Sequence, residues 1–143
     1  MLNHNKEQEP VLFLSSKKMD MKTIIAATDF SPVSLNAVNF AADMALAIDA
    51  SLLLFNTYNI PVSYSDVPVL LVSVDEIKKS SEAGLDKLKE KILHVTSGKL
   101  TVNTEARMGN TVDELEELCK AIQPFAVVMG AKGSSGIEKI LFG

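Results

Sequence analysis

Residues 23–32 read TIIAATDFSP, and the fold is decided there. The run from Thr23 to Thr28 is short, apolar and rich in β-branched side chains, which suits a strand buried on both faces. It ends in Asp29. Ser31-Pro32 then supplies a helix start, with serine as N-cap and proline at the first helical position, where a missing N–H costs nothing. Beyond it Leu35, Val38, Ala42, Ala45 and Ile48 recur at the period of an amphipathic helix. A strand followed at once by a helix is half of a βαβ unit.

The same alternation continues outward. Ser51–Thr57 (SLLLFNT) reads as a second buried strand, and Asn59–Pro68 as a loop. Asp75 is placed to cap a long helix that carries Ile77, Leu85, Leu88 and Ile92 on one face and ends near Ser97-Gly98. Leu100–Ala106 reads as a third strand, and Gly109 punctuates the next turn. Thr111 and Glu114 form a T-x-x-E capping box for a helix buried through Leu115, Leu118, Cys119 and Ile122. Pro124 closes it, and Phe125–Met129 is a fourth buried strand running straight into Gly130.

Continuous apolar strands alternating with helices imply a parallel sheet covered on both faces, and right-handed crossovers make it a doubly wound α/β fold, flavodoxin- or Rossmann-like. Ligands of such sheets sit beyond the carboxyl ends of the strands, where strand order reverses. Those ends carry Asp29, Thr57, Gly109 and Gly130.

Composition narrows the function. The chain has 143 residues, 47% apolar and 22% charged, enough for one core without disulfides. Its single cysteine, Cys119, cannot pair within the chain, and there is no CxxC or Cys/His cluster, so we expect a reducing, cytoplasmic setting and no structural metal. Lys plus Arg number 14 against 18 Asp plus Glu, a net charge of -4 that argues against nonspecific binding to nucleic acid or anionic membranes. The longest apolar runs fall far short of the roughly 20 residues that span a bilayer. Residues 1–20 hold only the short Val11–Leu14 run and no cleavage site, so they read as a flexible leader ahead of a domain over 21–143.

Four of the seven glycines fall in the last fourteen residues, GAKGSSGIEKILFG, directly after the fourth strand. Glycines there let backbone N–H groups cradle phosphate oxygens, with Lys132, Ser134 and Ser135 adding a charge and donors. An ordinary strand-to-helix turn would use glycines too. The segment is neither a Walker loop nor a dinucleotide fingerprint, since no GKS/T and no GxGxxG is present.

The spacing Gly130-x2-Gly133-x9-Gly143 resembles part of the ATP-binding signature of the universal stress protein family, and Lys22–Ser31 (KTIIAATDFS) resembles that family's opening strand and aspartate. The resemblance runs from about Lys22 to Gly143. It implies an ATP- or AMP-binding stress or signalling module, dimeric or in tandem copies. By resemblance Asp29, next to Thr28, reaches ribose or, through Mg²⁺, phosphate; as residue chemistry it could equally cap the following turn. Thr57 falls where the family reads adenine through main-chain groups, Gly109 lines the nucleotide or serves as a turn, and Gly130, Gly133 and Gly143 form the ribose and phosphate loop.

The family signature continues past its last glycine with Ser or Thr, then a helix and a fifth strand. We therefore expect strand order 3-2-1-4 with the fifth strand absent, an open edge at the fourth strand, and a C-terminally incomplete domain. Efficient catalysis is not expected, because no general base is placed at a γ-phosphate, although slow ATP hydrolysis remains compatible. A dimerising module that binds no nucleotide is the alternative within this fold. A phospho-receiver is excluded because Ala106 and Arg107 stand where strand three would need an acid. His4 and His94 lack triad or metal partners in sequence, Cys119 lies on an apolar stripe, and Lys78, Lys79, Lys87, Lys89 and Lys91 read as a solvated face.

Overall fold

The computed structural model describes residues 21–60, 73–131 and 139–142. In chain order these form β1 (Thr23–Ala27), α1 (Pro32–Ile48), β2 (Ser51–Tyr58), α2 (Val74–Val95), β3 (Val102–Met108), α3 (Thr111–Ile122), β4 (Ala126–Met129) and β5 (Lys139–Phe142). They make one sheet in the order β3-β2-β1-β4-β5. β1 pairs in parallel with β2 on one side and with β4 on the other, so that Ile25 stands opposite both Leu53 and Val127.

Strand alternation divides the core into two layers. Ile24, Ala26, Leu52, Leu54, Val102 and Val128 face α1 and α2, while Ile25, Ala27, Leu53, Phe55 and Val127 face α3. The stripe Ala37, Ala41 and Ala45 on α1 is fully buried, and its small side chains let the helix lie close on the sheet. α2 buries Leu85, Leu88 and Ile92 one turn apart, while most of its remaining surface is charged.

The doubly wound sheet and the order 3-2-1-4 are as the sequence implies. The open edge is not. Lys139–Phe142 pairs antiparallel with β4, Ala126 opposite Phe142 and Met129 opposite Lys139, so a fifth strand is present and the backbone of β4 is partnered on both sides. The physical reason is that a short apolar run at an unpaired edge satisfies its N–H and C=O groups by folding back on it.

Smaller corrections concern element ends. Ser73, not Asp75, caps α2, its hydroxyl oxygen accepting from the Glu76 N–H; Asp75 lies in the first turn, where its charge suits the helix dipole. Asn110, not Thr111, caps α3, its Oδ1 accepting from the N–H groups of Val112 and Asp113. β3 runs two residues later than expected, and Leu100 is buried just ahead of it. The reading of residues 1–20, and the part of the expected loop from 61 onward, lie outside the described residues.

Candidate functional site

β1 leaves through α1 on one face of the sheet, whereas α3 delivers the chain into β4 from the other. Strand order therefore reverses between β1 and β4, the switch point of the fold; the N-terminus of α1 stands at the β1 tip there, while that of α3 follows β3 and reaches the β2 tip through Thr111. A cleft of about 220 Å³ opens there, walled by the tips of β1, β2 and β4, the first turn of α1 and Thr111 of α3.

The β1–α1 turn is held by a chain of hydrogen bonds whose directions can be worked out. The Ser34 hydroxyl donates to the Ser31 carbonyl at 3.0 Å, so its oxygen accepts from the Thr28 hydroxyl at 2.9 Å. The Thr28 oxygen in turn accepts the Phe30 N–H at 2.9 Å. Asn56 fixes the other side of Thr28: its Nδ2 donates to the Thr28 carbonyl at 2.7 Å, while its Oδ1 accepts from the Ser81 hydroxyl of α2. Thr28, Ser34, Asn56 and Ser81 are all buried, and each has a partner, as burial of polar groups requires. Within this frame the Asp29 carboxylate is exposed at the cleft, and its Oδ1 accepts the Ser31 N–H at 3.0 Å.

The two helix ends differ in charge. α1 has no acidic residue in its first turn, whereas α3 carries Asp113 and Glu114. The partial positive charge of α1 is met from outside the helix by the Asp29 carboxylate, which accepts the Ser31 N–H, while that of α3 is met within its own first turn. On the α3 side the hydroxyls of Thr57 and Thr111 lie 2.6 Å apart, one donating to the other.

Of the residues named from sequence, Thr28, Asp29, Thr57 and Gly130 line this cleft. Gly130 meets the start of α1 so closely that a Cβ would stand 3.0 Å from the Ser34 N and Cα and the Val33 carbonyl carbon. Gly109 is not in the lining; its φ of 140° and the Glu114 carboxylate, 2.9 Å from where a Cβ would be, account for a glycine at this turn. Lys132, Gly133, Ser134, Ser135 and Gly143 lie outside the described residues. Ser34, Thr111 and Ser81 were missed as site residues, and the available signal was a polar side chain on an otherwise apolar helix face.

A second, more open cleft of about 710 Å³ lies between the tip of β2 and α2, and it shares Asp29, Asn56 and Thr57 with the first. Arg107 is engaged by Glu105 and by Glu114. Burial pushes the Cys119 thiol above its ordinary value. No group of three or more His, Cys, Asp or Glu able to hold a metal ion occurs among the described residues, and no described helix is long and apolar enough to cross a membrane.

The fold and cleft define a doubly wound α/β protein with a crevice at its switch point. The family model of the universal stress protein family matches residues 21–143, and the chain belongs to that family. A universal stress protein of Methanocaldococcus jannaschii is 29% identical over 127 residues, which span 85% of this chain and 71% of the relative. A solved universal stress protein in complex with cAMP is 27% identical, with 81% of this chain and 80% of that one covered and a TM-score of 0.60. UspA from Lactobacillus plantarum, at 18% identity, matches in fold with a TM-score of 0.64 over 85% of each chain.

Proposed function

We propose that this universal stress protein binds an adenine nucleotide, ATP or AMP, in the switch-point cleft, and serves as a stress-response or signalling module without efficient catalysis. The observation that carries the reading is the cleft itself, where the first turn of α1 and the Asp29 carboxylate meet the β1, β2 and β4 tips. Support also comes from the relative whose structure is a complex with cAMP. Asp29 contacts ribose or, through Mg²⁺, phosphate. A lone carboxylate suits an ion that arrives with its nucleotide, because Mg²⁺ is commonly held by one or two carboxylates plus substrate phosphates. Thr28 holds the turn, the Thr57 main chain meets the base, and Gly130, Lys132, Gly133, Ser134, Ser135 and Gly143 supply the phosphate loop, with Gly109 at its margin. Among the described lining residues Asp29 is the titratable side chain, and slow ATP hydrolysis is the most turnover this reading includes. The protein acts in the cytoplasm, as a homodimer or beside a tandem-domain partner.

Calorimetric titration tests the reading. Micromolar affinity is expected, about 8 kcal/mol at 1 μM, and Gly133→Val should abolish it. With Asp29→Asn, loss of ATP but not adenosine affinity, together with loss of Mg²⁺ dependence, assigns Asp29 to the ion. Equal weakening of both ligands assigns it to ribose. Wild-type protein that takes up neither ATP nor AMP would return the fold to the dimerising module that binds no nucleotide.

A further inference from the structure

Four described non-glycine residues have positive φ: Phe30, Asp49, Ser97 and Gln123. Three of them follow helix C-termini, where the left-handed conformation is an ordinary way to end a helix. Phe30 instead precedes the N-cap of α1, and its φ of 63° has none of the local relief that Gly, Asn or Asp enjoys. The bonds of its own turn, from the Phe30 N–H to the Thr28 hydroxyl and from the Ser31 N–H to Asp29, hold it from one side, and something outside the turn must hold it from the other.

Two contacts from one face of α2 do so. The Phe30 ring is lodged end-on against Gly84: a Cβ at Gly84 would stand 2.8 Å from its Cζ and 3.1 and 3.2 Å from its Cε atoms. A glycine in the interior of a 22-residue helix is disfavoured by propensity, and the ring supplies the reason for it. Ser81, one turn earlier on that face, is buried and donates to Asn56, whose amide donates to the Thr28 carbonyl. The two contacts reach Thr28 and Phe30, the residues on either side of Asp29.

We propose that α2 is the positioning element of the cleft, with the Gly84 notch and Ser81 together setting the turn that aims Asp29. The nucleotide arm of this proposal rests on the function proposed above; the turn itself can be read without a ligand. If α2 merely packed, alanine would serve better at position 84, being the stronger helix former.

The test is Gly84→Ala in the full chain, read by amide exchange in NMR, thermal melting and nucleotide titration. Helicity and Tm should equal or exceed wild type. Exchange of the Phe30 N–H, which donates to Thr28, should nevertheless quicken about tenfold or more, and ATP and AMP affinity should fall about tenfold, some 1.4 kcal/mol. Placed on a Phe30→Leu background, which removes Cζ, the same alanine should have far less effect. Unchanged Phe30 exchange in a more stable Gly84→Ala protein overturns the proposal. Should wild type bind no nucleotide, the functional reading falls while the exchange result still decides the role of α2. Should Gly84→Ala lose stability throughout, Ser81→Ala decides instead: faster exchange confined to the 28–31 turn supports the proposal, and uniform change across the sheet overturns it.

Discussion

Gly130 lacks a side chain for a reason that operates with or without a ligand. The N-terminal turn of α1 lies against it, and each atom a Cβ would meet at 3.0 Å belongs to backbone rather than to a movable side chain. Gly130→Ala must therefore push the β4 tip away from α1, and overpacking of that kind costs about 1–3 kcal/mol. Urea unfolding should show it as a lower midpoint with an unchanged slope, and an unshifted midpoint would mean that the gap closes freely. The sequence pointed to Gly130 for its phosphate geometry, but the steric need for it comes from residues about a hundred positions earlier. Cys119 offers a second residue-scale check. Burial holds its thiol above the ordinary value, so the neutral form is favoured in the fold. That stabilisation is complete below the unfolded-state value and is lost as pH rises through the folded one. Stability should thus decline in alkaline solution more for wild type than for Cys119→Ala. Disulfide reagents should also label the native thiol more slowly than the unfolded one.

At the scale of elements, β1, β2 and β4 were legible because each is a dense apolar run, whereas β3, VNTEARM, is largely polar and was read two residues early; the parallel order followed from the helices between them. Helix starts were less legible, because several capping residues compete within one turn. Ser73 lies two places ahead of Asp75, and Asn110 directly ahead of Thr111; which side chain turns back onto the free N–H groups depends on where the preceding chain arrives. In α3 the displaced Thr111 hydroxyl goes to Thr57, 54 positions away, and Glu114 goes to Arg107 of the preceding strand. The helix caps can be separated by mutation. Ser73→Ala removes the side-chain acceptor of the Glu76 N–H and should cost about 1 kcal/mol. Asp75→Ala removes only a first-turn charge, worth about 0.3–1 kcal/mol at low ionic strength, and its effect should fade in salt. Denaturant melts at two salt concentrations compare them, and a salt-independent loss at Asp75 larger than that at Ser73 would restore Asp75 as the cap.

At the scale of the whole molecule, the edge of the sheet is where sequence and structure parted. The run at 140–142 follows a glycine-rich stretch and is too short to announce a strand, and an antiparallel return onto β4 is invisible to local periodicity. Yet it matters to the whole sheet, because β4 is the apolar strand AVVM and its outer N–H and C=O groups would otherwise stand open. Residues on an edge strand direct alternate N–H groups toward the partner and toward solvent, so a proline is damaging at one position and tolerated at the next. Ile140 and Leu141, opposite Val128 and Val127, are adjacent in that alternation. Leu141→Pro and Ile140→Pro should therefore differ, one lowering Tm by several degrees and the other by little, since about 1 kcal/mol shifts Tm by roughly 2–8 °C in domains spanning this size. Deleting 139–143 should do more: it bares β4, and size-exclusion chromatography should then show concentration-dependent association that charged substitutions in β4 suppress. A deletion variant that associates no further than the wild type at high concentration and melts with it would show that the β4 edge needs no cover, and that the β4–β5 ladder adds nothing to the stability of the sheet.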